Sequence, residues 1–100
     1  MTKSYKTPFE LPKGLDWELL LILMEECDEV SQRSSKAQRF GAREVQSGQD
    51  LDNVQRLSME IGDLLHVVDL LRERGLVEDE WVEKGKKHKA RQLAKYLQSQ

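Results

Sequence analysis

From Leu19 onward, the apolar residues Leu19, Ile22, Leu23, Cys27 and Val30 recur at intervals of three and four, the period of a helix with one buried face. Asp16 stands where an N-cap belongs and Gly41 where a helix stops, which predicts a first helix over roughly 17–40. The segment 41–50, GAREVQSGQD, has two glycines and no consistent period, so it reads as a loop that turns the chain back. A second helix is predicted from near Leu51. Its positions Val54, Leu57, Ile61, Leu64, Leu65, Val68 and Leu71 keep a helical period until Gly75, with Arg72 and Arg74 suited to the negative end of the helix dipole. A third helix, roughly 78–97, opens with Glu78, Asp79 and Glu80. Residues 1–15 hold Pro8, Pro12 and Gly14 without a period and read as an extended arm before a helical domain over 16–100. Strand-like alternation is absent. The expected class is all-α, an antiparallel bundle of two long helices plus a C-terminal helix.

On the second helix, apolar side chains cover well over half the circumference, wider than the stripe of about 100° that one neighbour requires. That predicts a homo-oligomer, a homodimer or homotetramer, burying the remainder in a helical bundle. A chain of 100 residues makes one small domain. The longest nearly apolar run, Leu19 to Met24, is far short of the roughly 20 residues that span a bilayer, and the single Cys27 excludes an internal disulfide. No membrane association and a cytoplasmic location are expected.

The formal charge of −2 hides an uneven distribution. Residues 16–83 carry 17 acids against 7 bases, whereas Lys84, Lys86, Lys87, Lys89, Arg91 and Lys95 follow with no acid among them. The two regions can face each other or share a ligand, while the plain alternative is a solvated helix face. A nucleic-acid-binding role for the tail conflicts with the acidic middle, which repels phosphate backbones, and no recognised nucleic-acid motif is present.

Four acids occupy positions on faces destined for burial. At 100° per residue, Leu19, Ile22, Leu23, Val30 and Glu29 all fall within about 60° of Glu26. Glu25 lies at the margin of that face and Asp28 points away. On the second helix Leu57, Leu64, Val67, Leu71 and Asp63 fall within about 60° of Glu60. An ionised carboxylate on such a face costs several kcal/mol unless paired or metal-bound, and four together also repel. Salt bridges to Arg33 and Lys36, a solvated seam, or a divalent cation would each satisfy the demand. The i, i+3 pairs from two helices favour the cation, and all-oxygen ligation indicates Mg²⁺, with Mn²⁺ as a substitute, over zinc. A di-iron carboxylate site wants Glu-x-x-His on each of two helices. His66 follows Asp63 by three, but Gln32 follows Glu29.

Written as motifs, the first helix carries EECDE and the second EIGD, an EExxE followed by ExxD, with SKAQRFG after the first and DLLHVVDLL after the second. Over roughly 17–97 this resembles the all-α NTP pyrophosphatase superfamily, which contains MazG, the dimeric dUTPases and phosphoribosyl-ATP pyrophosphatase. The likeness is nearest to small single-domain MazG-like proteins. It implies Mg²⁺-dependent hydrolysis of a nucleoside triphosphate between the α and β phosphates, giving a monophosphate and pyrophosphate. Carried over, Glu26, Glu29, Glu60 and Asp63 are the metal ligands; Glu29 is then also a catalytic carboxylate, and Glu25, on the margin of the face, is either the acid that orients or deprotonates the attacking water or a plain exposed helix acid. Thirty residues separate Glu29 from Glu60, at the long end for the family, which implies an elaborated 41–50 loop and altered substrate choice.

Phosphates also need fixed cations. Arg33, Lys36 and Arg39 follow the first ligand pair, and Lys84 and Lys87 open the basic tail. Arg33, at i+4 from Glu29, also fits a plain helix ion pair. Trp17, Phe40 and Trp81 are candidates to stack on a base, Trp17 foremost, although aromatics on small helical proteins commonly belong to the core. Gly62, between the second-helix acids, either permits close approach of a helix or ligand or is a tolerated cost of about 1 kcal/mol. The alternative function is a catalytically inactive bundle that binds nucleotides or a partner helix through the same groove.

Overall fold

A computed structural model describes residues 13–97. They form three helices, α1 (Leu15–Phe40), α2 (Asn53–Glu73) and α3 (Asp79–Tyr96), and no strand occurs among the described residues. Most of the arm expected over 1–15 lies outside them. None of the described helices is long and apolar enough to cross a membrane.

Helix α1 starts two residues earlier than its pattern predicts, and Asp16 is not its cap. Gly14 occupies that position at φ 156, without a side-chain bond, and Asp16 sits in the first turn. Its carboxylate is 1% exposed and accepts a bond of 2.6 Å from Nε of Arg74. The acid that resembles a local cap is a long-range tie between the start of α1 and the end of α2. Gly41 ends α1 at φ 102, a conformation that favours glycine. Gly75 does the same after α2 at φ 77.

The loop between α1 and α2 runs to Asp52, which caps α2 by accepting from the Gln55 backbone N–H while the Gln55 side chain accepts from the Asp52 N–H. This reciprocal box starts α2 two residues later than expected. Asn53, 1% exposed, ties the loop down. Its Nδ2 donates to the Gly41 carbonyl at 2.9 Å and to Glu44 Oε1 at 3.0 Å. The backbone joins in, Asn53 N–H donating to Glu44 and Val54 N–H to Ala42. A segment without hydrophobic period is thus held by polar bonds at both ends.

Helix packing is between α1 and α2. Its apolar part is concentrated near the Asp16–Arg74 tie, where Leu19, Val67 and Leu71 are buried and Leu20, Leu23, Leu70, Leu76 and Val77 pack around them. Helix α3 buries no residue. Arg72 joins the end of α2 to its start by bonding Asp79, and also pairs with Asp69 at 2.8 Å. Arg72 therefore serves a junction as well as the helix dipole.

Candidate metal centre

Beyond the apolar end, the contact between α1 and α2 becomes polar. Glu26 on α1 and Glu60 and Asp63 on α2 each bring a carboxylate oxygen to a common point, all within 4.8 Å of one another. Glu26 and Glu60 are half-buried and Asp63 is exposed. The helical period accounts for this convergence: residues three apart on α2 share a face, and that face meets the one carrying Glu26.

No base among the described residues pairs with the cluster. Among the described residues no ion pair includes Glu25, Glu26, Glu29, Glu60 or Asp63. Glu26 Oε2 is buried and has no hydrogen-bond partner. Its carboxyl is pushed above the usual carboxylate range, first by loss of surrounding water and then by the negative charges of Asp63, Glu60, Glu29 and Glu25. Each of these influences opposes ionisation. An orphaned, buried carboxylate oxygen beside two more acids is a donor set suited to a hard divalent cation.

The other sequence-predicted residues are less tightly gathered. Glu29 and Glu25 are exposed on α1, near enough for their charges to act on Glu26 but outside the converging trio. Arg33 and Lys36 are half-buried further along α1, and Arg33 Nη1 is buried without a hydrogen-bond partner. Arg39 lies 4.9 Å from the Phe40 ring, at the exposed end of α1.

Lys84 pairs with Glu80 at 3.1 Å and stands 4.2 Å from the Trp81 ring, a set of contacts within α3. Lys87 is exposed on the same helix. Among the described residues neither forms an ion pair with the carboxylates. Trp17 is nine residues from Glu26 and half a turn around α1, in a shallow apolar groove with Leu20, Leu21 and Met24. Lys13 Nζ lies 5.7 Å from its ring. The groove follows i, i+3, i+4, i+7 spacing, a second apolar stripe on α1 that the dominant pattern masks. A Cβ built on Gly62 meets nothing within 4 Å, so close packing within the chain does not require glycine there.

Sequence reasoning also missed Gln46 and Arg56. Arg56 Nη1 donates to Gln46 Oε1 at 2.7 Å, across ten residues of chain. Their separation carries no local signal. In comparisons with known proteins the chain matches no family model, no curated protein and no solved structure.

Proposed function

We propose that this chain is a Mg²⁺-dependent nucleoside triphosphate pyrophosphohydrolase, cleaving an NTP or dNTP to the monophosphate and pyrophosphate. The observation that carries this reading is the uncompensated convergence of Glu26, Glu60 and Asp63, with the orphaned Glu26 Oε2 among them. It joins the EExxE and ExxD motifs across two helices, as the resemblance to the all-α NTP pyrophosphatases requires.

In this reading Glu26, Glu29, Glu60 and Asp63 hold the cation. When bound, Mg²⁺ screens the triphosphate oxygens and makes a coordinated water more acidic. The chain's own groups do the rest. Glu25 and Glu29, exposed beside the cluster, orient a water toward the α phosphorus and accept its proton. The oxygen of that water forms the new bond to phosphorus while the bond to the bridging α–β oxygen breaks, and the electron pair leaves with pyrophosphate. Arg33 and Lys36, on the same side of α1 as Glu26 and Glu29, supply the nearest positive charge for the phosphates, with Arg39 a turn beyond.

The two long helices form an antiparallel pair, and a homo-oligomer completes the bundle. Only Leu19, Val67 and Leu71 are buried apolar residues among those described, while Leu21, Ile22, Met24, Met59, Ile61 and Leu65 stay exposed on α1 and α2. A second copy is the natural cover for such surfaces, since exposed apolar faces of packed helices mark association sites. In this reading Lys84 and Lys87 serve the phosphates from the same or a neighbouring subunit.

The test is pyrophosphate release from a panel of ribo- and deoxyribonucleoside triphosphates with Mg²⁺. Glu60→Ala is expected to remain helical and to lose at least about 100-fold in rate, since several kcal/mol of charge stabilisation goes with the metal. Absence of release from every triphosphate, with Mg²⁺ or Mn²⁺, overturns the reading.

A further inference from the structure

Trp17, Leu20, Leu21 and Met24 line an open groove of about 200 Å³ along the start of α1. Leu20 also packs against the core of Leu19, Val67 and Leu71. Trp17, Leu21 and Met24 stay 39%, 43% and 64% exposed. Around the helix these three fall at least about 140° from Glu26, so the groove faces away from the carboxylates. Ile22, also exposed on α1, is about 160° from Met24, and a second copy seated over Ile22 does not reach the groove. Four lining side chains are few beside the roughly 20–30 residues a side of a stable interface between proteins. A short segment of the same chain needs no such area, because its tether supplies a millimolar effective concentration.

The described residues begin at Lys13, whose Nζ lies 5.7 Å from the Trp17 ring, so the preceding chain joins the helix at the edge of the groove. Residues 5–12 read YKTPFELP. Pro8 and Pro12 bias Thr7 and Leu11, the residues before them, to extended backbone. Extended backbone sends alternate side chains to opposite sides, which groups Phe9 with Leu11 and apart from Pro8, Glu10 and Pro12. It advances about 3.3 Å per residue, against about 1.5 Å in a helix. Counted from Lys13, Leu11 is then about 7 Å back and Trp17 about 6 Å forward, while Phe9 is about 13 Å back and Leu21 about 12 Å forward. The two apolar pairs match in register if the chain reverses at Gly14, which has no Cβ to obstruct the reversal. A cavity of about 150 Å³ holds a benzene ring, so the groove has room for the ring of Phe9.

We propose that the groove on α1 is a docking site for the N-terminal segment of the same chain, which folds back antiparallel to the helix with Leu11 against Trp17 and Phe9 against Leu20, Leu21 and Met24. The proposal is independent of the reaction assigned above. It gives Trp17 a different task from stacking on a base: the ring anchors the arm, on the side of α1 away from the carboxylates. It also gives the start of α1, which has no side-chain cap, a cover made of apolar contacts.

The test reads Trp17 by acrylamide quenching of its fluorescence in the 100-residue chain carrying Trp81→Phe, which leaves Trp17 as the one tryptophan. Adding Phe9→Ser and Leu11→Ser should raise the quenching constant roughly two- to threefold as the ring loses its apolar cover, with helical content unchanged. The difference should be the same at every protein concentration. Equal quenching with and without Phe9 and Leu11 overturns the proposal, and so does protection of Trp17 that fades on dilution together with a heavier species, since a second copy is then the cover. Cys27, exposed three residues beyond Met24, gives a second readout. By the same count Thr7 falls about 20 Å back and Cys27 about 21 Å forward, within reach of a disulfide. In Thr7→Cys, mild oxidation should close an intramolecular disulfide, and Phe9→Ser with Leu11→Ser should slow its closure several-fold. Closure at equal rates, or only between chains, contradicts the proposal.

Discussion

Asp16 and Glu26 lie ten residues apart on α1 and both turn a carboxylate toward α2, yet they have opposite surroundings. Asp16 is almost wholly buried and meets Arg74, itself 31% exposed, at 2.6 Å. Glu26 is half-buried, meets Glu60 and Asp63, and keeps one oxygen without a partner. The first acid closes the apolar end of the helix pair, beside Leu19 and Leu71. The second opens a polar centre where the helices hold like charges together. Burial of an acid thus serves structure where a base answers it, and makes a candidate site where no described residue does.

The comparison breaks most visibly on the structural side. Leu71, the fully buried residue beside the Asp16–Arg74 tie, should cost about 2–5 kcal/mol when cut to alanine, read as a lowered midpoint of thermal unfolding. Asp16→Asn keeps the shape but removes the charge that answers Arg74, and should cost about 1–3 kcal/mol in the same assay. A neutral outcome for Asp16→Asn would mean that Arg74 is satisfied by water and that the tie does not hold the helices.

The polar centre should respond with the opposite sign. Because the Glu26 carboxyl is raised in the folded state, the fold binds its proton more tightly than the unfolded chain does. Its favourable contribution is complete below the ordinary carboxylate range and is lost as pH rises through the elevated folded value. With a chelator present, Glu26→Gln should therefore melt higher than wild type at neutral pH and equally at acidic pH. Mg²⁺ should raise the melting temperature of wild type and leave the variant nearly unmoved. Asp52 supplies the internal contrast. The Gln55 backbone N–H, then Arg43, hold its carboxyl below the usual range, so its contribution is present at neutral pH and lost as pH falls through that lowered value.

The smallest effect concerns Gly62, exposed within α2 with open space beyond it. Gly62→Ala should stabilise the helix by about 0.5–1 kcal/mol. If the same change lowers triphosphate turnover, the space is used by a ligand or a second copy.

What could be read from the chain alone divides along physical lines. Helical period is a local property, so the three helices and the shared face of Glu26, Glu60 and Asp63 follow from positions three, four and seven apart. Asp16 was legible only as an acid near a helix start, and the pattern of a cap matched it. Its partner is 58 residues away, and no local rule connects the two. The same holds for Asn53, whose bonds to Gly41 and Glu44 order the loop, and for Gln46 beside Arg56. Polar loop contacts have no period. The second apolar stripe of Trp17, Leu20, Leu21 and Met24 was hidden for another reason: it overlaps in sequence with the stripe that packs on α2.

The central claim is that the carboxylates at the middle of the helix pair hold a divalent cation, and titrating Mg²⁺ and then Mn²⁺ into metal-free protein in a calorimeter tests it most directly. Wild type should show saturable binding at this site with both ions, and Asp63→Asn and Glu60→Ala should each weaken it at least about tenfold while keeping their helical content. Equal binding by the variants, or none by wild type, would contradict the claim and leave Glu26, Glu60 and Asp63 as a cluster of repelling acids with no ligand to hold.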